Sequence, residues 1–158
     1  MSKILSMVEH SLLIFSASIM SIIAFANVIS RYFMNHSLSF TEEITINLFV
    51  MLTFVGTAVG VKSGSHLGFS LLFDQASLPV KKILAILVGS IVIVVFAIFT
   101  YYGVKMVQFQ MLLNTTTPSL GWQQWIFSLG FPIGSFLCLI RSIESTIKEF
   151  KNLQAESE

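Results

Sequence analysis

The stretch "NVISRYFMNHSLSFTEEI", residues 27–44, is the break between the first two long apolar runs of the chain. It places an asparagine, an arginine and two adjacent glutamates in a sequence that is 54% hydrophobic and 11% charged. Residues 11–30 before it and 44–61 after it carry no charge, and neither do residues 83–104 or 119–140. Each run is close to the roughly 20 residues that an α-helix needs to cross hydrocarbon. The runs are continuous rather than alternating, which excludes barrel strands. Helices satisfy every backbone polar group within the segment, as lipid demands. The expected fold is therefore an all-α integral membrane protein of four transmembrane helices in a single domain, spanning roughly residues 11–33, 42–62, 82–105 and 121–143.

Composition agrees with a bilayer as solvent, because a soluble domain carries about a quarter charged residues. A net charge of +1 gives no electrostatic reason to expect nucleic acid. The one cysteine, Cys138, cannot form an internal disulfide, which removes thiol-oxidising four-helix enzymes. The start, "MSKILSMVEHSLLIF", has no small-residue cleavage site after a short apolar core and reads as an uncleaved first helix.

Basic residues set the expected orientation. Lys3, Lys62, Lys81, Lys82, Arg141, Lys148 and Lys151 fall on one side of a four-span topology, and Arg31 and Lys105 on the other. Seven against two predicts both termini in the cytoplasm. Tyr32, Trp122 and Trp125 then anchor the outer headgroups, and Lys62, Lys81 and Lys82 the inner ones. The second loop, "GSHLGFSLLFDQASLP", is apolar for a solvated connection. It predicts a short interfacial helix over residues 67–76.

The spans lack chemistry. A membrane residue that moves protons or ions is usually ionisable and sits mid-helix. No span contains such a residue between its borders. Small multidrug antiporters need an acid inside their first helix, and "LLIFSASIMSIIAFANVIS" has none. His10, His36 and His66 lie at borders or in loops, unsuited to a central haem. No cofactor, metal spacing or nucleophile–base set is expected, and no enzymatic activity.

Other features concern packing. Gly56, Gly60 and Gly64 recur every four residues, and Gly130 and Gly134 do the same in the fourth span. Such strips let helices approach closely, inside the chain or against a partner. Pro132 should bend the fourth helix. Asn27 and Arg31 share one helix face. Thr41 reads as a cap for a second helix begun by Glu42 and Glu43, whose charge suits the positive helix end. An Arg31–Glu43 pair is one expectation. Contact of Asn27, Arg31, Glu42 or Glu43 with another subunit is the alternative.

These blocks, in order, resemble the small membrane subunit of tripartite ATP-independent periplasmic (TRAP) transporters. They are Asn27 with Arg31-Tyr32 and Glu42-Glu43, then Gly64 with His66, then Pro118, Gly130, Pro132 and Gly134. The likeness covers nearly the whole chain and is greatest to the sialic acid branch. It implies a bacterial inner-membrane subunit paired with a large permease subunit and a periplasmic substrate-binding protein. It also implies a sodium gradient as the driving force, with substrate and ion sites in a large subunit that moves as an elevator beside this static scaffold. C4-dicarboxylate or another carboxylate is the alternative substrate. A self-contained small transporter acting as an oligomer is the competing function.

Overall fold

The computed structural model describes residues 2–33, 35, 38–62 and 78–155. Five helices account for most of them: α1 (Ser2–Phe33), α2 (Ser39–Lys62), α3 (Leu78–Leu112), the short α4 (Gln124–Ser128) and α5 (Gly130–Ala155). Among the described residues four segments are long and apolar enough to cross a membrane: Leu5–Phe33, Ser39–Val61, Pro79–Leu112 and Gln124–Leu153. Among the described residues the only β-pairing is one bridge between Thr116 and Gln123. Residues 67–76, Gly64, His36 and His66 lie outside the described residues.

The helices run past the apolar stretches that announce them. α1 begins at Ser2 and α3 continues to Leu112, because charged residues at a membrane border can stay helical in the headgroup zone. α3 stops where Asn114 turns left-handed, at φ 48°. There Asn114 N–H donates to the Met111 carbonyl and Thr115 N–H to that of Gln110. This is the double bond of a Schellman ending, in which Asn tolerates the left-handed position.

Near Pro132 the helix is interrupted one turn upstream. Pro132 has no N–H for the Ser128 carbonyl, and the helix divides at Leu129 into α4 and α5. Hydrogen bonds still bridge the break, since Leu129 N–H bonds Trp125 O and Ile133 N–H bonds Leu129 O.

Neighbouring helices follow the order α1, α2, α5, α3. α1 packs on α2, α2 on α5, and α5 on α3, so α1 and α3 form the two edges. The core lies where α2, α3 and α5 meet: Val55, Ala58, Phe96, Leu137 and Cys138 are buried together. Above it Phe54, Phe99 and Phe131 meet with centroids 5.0–6.2 Å apart. Lipid tails are as apolar as leucine, so close fit rather than escape from water drives this packing. Gly134 shows that fit. A methyl group there would lie 2.5 Å from Phe54 Cβ, and one at Gly130 would lie 3.0 Å from Met51 Cβ. The glycines of the fourth span therefore serve the α2–α5 contact inside the chain.

Candidate functional site

At the end of the bundle that carries the termini, Glu9 of α1 meets Arg141 of α5. Arg141 Nε donates to Glu9 Oε1 at 2.6 Å, and Nη2 donates to Oε2 at 2.8 Å. Both side chains are fully enclosed. Nη1 donates to Glu144 Oε2 at 2.5 Å, one turn along and half-exposed. This fork-to-carboxylate geometry is the strong form of charge-assisted bonding. It also shows that the start of α1 and the later half of α5 share one end.

Reading the sequence for mid-span charges missed this pair. The first apolar run begins after Glu9 and the fourth ends before Arg141, so both looked like solvated border residues. The helices instead carry both into the packed interior, where each neutralises the other. The available signal was two opposite charges just inside the same membrane face.

The other end is tied by single polar side chains. Asn27 Oδ1 accepts the Leu38 N–H at 3.0 Å, closing the α1–α2 hairpin. Thr41 is not the helix cap: α2 begins at Ser39, and the buried Thr41 hydroxyl donates back to Leu38 O at 2.6 Å. Asn27 supplies from α1 the acceptor that local sequence would otherwise have had to provide, so the helix starts earlier. The expected Arg31–Glu43 pair is also absent. Arg31 is exposed, while Glu43 Oε1 accepts the Ser119 N–H at 2.8 Å. Glu43 thereby joins the start of α2 to the loop before α4. Its second oxygen is buried without a hydrogen-bond partner. Glu42, one residue away, is exposed.

That loop is a compact turn. Thr117 N–H bonds Trp122 O at 2.7 Å, Gln124 N–H bonds Thr115 O at 3.0 Å, and Gly121 takes the left-handed φ of 67°. Trp125 Nε1 donates to Gln123 Oε1. Trp122 is exposed, as are Tyr32, Tyr101 and Tyr102.

The strip on α2 differs from the one on α5. Gly56 meets Leu13 of α1 at ordinary contact distance, whereas a methyl group added at Gly60 would meet nothing within 4 Å. Lys81 and Lys82 are half-buried at the start of α3. Among the described residues no three His, Cys, Asp or Glu side chains are grouped to hold a metal ion.

The interior thus holds the Glu9–Arg141 ion pair, small hydroxyls and a dense aromatic core; Thr100 Oγ1 donates to Ser135 Oγ and Ser145 Oγ to the Val61 carbonyl, both across helices. Ser16, Ser142 and Thr146 each donate to the carbonyl four residues back.

Residues 20–152 match the family described as "Tripartite ATP-independent periplasmic transporters, DctQ component". Among relatives, the ectoine TRAP transporter small permease protein TeaB of Halomonas elongata is 27% identical, covering 92% of this chain and 75% of that protein. A C4-dicarboxylate TRAP transporter small permease protein of Pseudomonas aeruginosa is 28% identical, covering 74% of this chain and 57% of its own length. Its Vibrio cholerae counterpart is 33% identical over half of this chain and 34% of that protein. All three relatives are transporter subunits by name. The chain belongs to the DctQ family, the small permease component of TRAP transporters: a multi-pass inner-membrane protein that works with a large permease subunit and a periplasmic binding protein.

Proposed function

We propose that this chain is the static brace of its transporter, a fixed neighbour against which the large subunit's moving domain slides. The order α1, α2, α5, α3 carries the reading. It sets two edge helices, α1 and α3, with most of their apolar surface turned outward, and the Glu9–Arg141 ion pair is buried at the terminal end. Solute and sodium sites then belong to the large subunit, with uptake driven by a sodium gradient. Both termini face the cytoplasm, as the basic residues favour.

The relatives' names mention ectoine and C4-dicarboxylates, and the overall likeness of the sequence is to the sialic acid branch. All three carry a carboxylate. The substrate class is a small organic acid, with sialic acid as the specific reading. On the outer side, exposed Glu42 and the loop of residues 114–124 meet the loaded binding protein, and the Glu43–Ser119 bond holds that loop in place.

Extraction in mild detergent and mass measurement of what accompanies the chain tests the reading. One large permease subunit per chain is expected. A chain that comes out alone, or only with copies of itself, contradicts it.

A further inference from the structure

The far end of α3 is longer than a membrane requires and carries exposed apolar side chains, Phe109 and Leu112, beyond its last charged residue, with Gln108 exposed among them. Lys82 and Lys105 are separated by about 35 Å of helix at about 1.5 Å per residue. That length alone fills a hydrocarbon layer of about 30 Å with ordinary tilt. Lys105 therefore marks the headgroup level, and α3 continues about 10 Å beyond it to Leu112. On this projecting turn Phe109 is 61% and Leu112 78% exposed. Below it, Tyr102 and Ile98 carry the same exposed surface back into the bilayer. Lys105 has no carboxylate partner among the described residues and lies over its own Tyr101 ring at 4.7 Å.

We infer that Tyr102, Lys105, Phe109 and Leu112 form the seat for the large permease subunit, which supplies a carboxylate opposite Lys105. This rests on the bracing function proposed above and assigns its contact surface. A phospholipid fits poorly. With its phosphate on Lys105, its tails would run toward Tyr102 and leave Phe109 and Leu112 in water. A second copy fits poorly too. Two chains in one membrane share orientation, so a two-fold contact along this stripe would set Lys105 against Lys105 at the same height. The binding protein is soluble and cannot follow the stripe down past Tyr102. A partly membrane-embedded protein partner meets all three conditions, and an apolar surface of this kind suits a lasting contact better than a transient one.

The test introduces the photo-crosslinker p-benzoylphenylalanine at position Phe109, and separately at Leu112, in cells producing the whole transporter. Both positions are expected to form adducts with the large subunit on illumination. Adducts only with lipid, with another copy of this chain or with the binding protein overturn the inference, as does the lack of any adduct. The wild-type chain is pulled down in parallel. If it brings the large subunit while the crosslinks do not, the seat is wrong and the brace stands; if it brings none, the brace itself falls. As a second readout, K105E should lower the co-purified large subunit at least tenfold and K105Q less so, with equal amounts of chain in the membrane. Unchanged co-purification for K105E contradicts the proposed carboxylate contact.

Discussion

Glu9 and Arg141 stand 132 positions apart in sequence and meet through two hydrogen bonds, both enclosed by protein. α1 otherwise packs mainly on α2. The pair therefore ties the edge helix α1 across to α5 at the end where the chain begins and finishes.

Removing one partner strands the other charge. E9Q or R141M should destabilise the chain by about 3–5 kcal/mol, the usual cost of breaking a buried pair from one side. The double variant E9L/R141M should recover most of that loss, because no enclosed charge is then left unmatched and Glu144, which also loses Arg141, is half-exposed to solvent. Thermal unfolding of the three variants in one detergent checks both statements.

Two glycines separate internal packing from outward contact. G134L must push Phe54 away at the α2–α5 crossing, where overpacking typically costs about 1–3 kcal/mol or more. G60L meets open space and should leave the chain's own stability unchanged. If the α2 strip touches the large subunit, G60L lowers co-purification and uptake. Full retention of both would mean that the α2 strip makes no contact with the partner.

The Schellman ending of α3 depends on Asn114 at φ 48°. N114A should cost about 1 kcal/mol through left-handed strain, while N114G should be neutral or slightly stabilising. Comparing their unfolding midpoints with that of the parent chain separates this backbone effect from loss of the side chain.

Orientation can be read by labelling single cysteines in intact cells, with Cys138 buried and so shielded. E42C is expected to react with a membrane-impermeant maleimide added outside. K151C should react only after the membrane is opened. The reverse pattern would place the termini outside and remove Glu42 from the surface that meets the binding protein.

The four spans were legible because an uncharged run of sufficient length has few stable structures in lipid other than a helix. Gly130 and Gly134 announced a close crossing, and Pro132 a disturbance of the fourth helix that takes the form of an interruption at Leu129, for reasons that are local in the chain. What could not be read was pairing between segments far apart. Thr41 looked like a cap because the better acceptor, Asn27, belongs to another helix. Arg31 and Glu43 looked like partners because they flank one hairpin, yet Ser119 N–H takes the carboxylate from a third loop. Glu9 and Arg141 looked solvated because hydropathy ends each run one or two residues away from them. The helix faces that stay open, at Gly60 and along outer α3, emerge only once the internal contacts are known.

The central claim is that this polypeptide supports transport carried out in its partner. Liposomes holding the purified chain alone, and others holding it with the large permease subunit, should be supplied with loaded binding protein, labelled carboxylate solute and an inward sodium gradient. The account predicts accumulation only in the two-subunit vesicles. Solute uptake by the chain alone would contradict it.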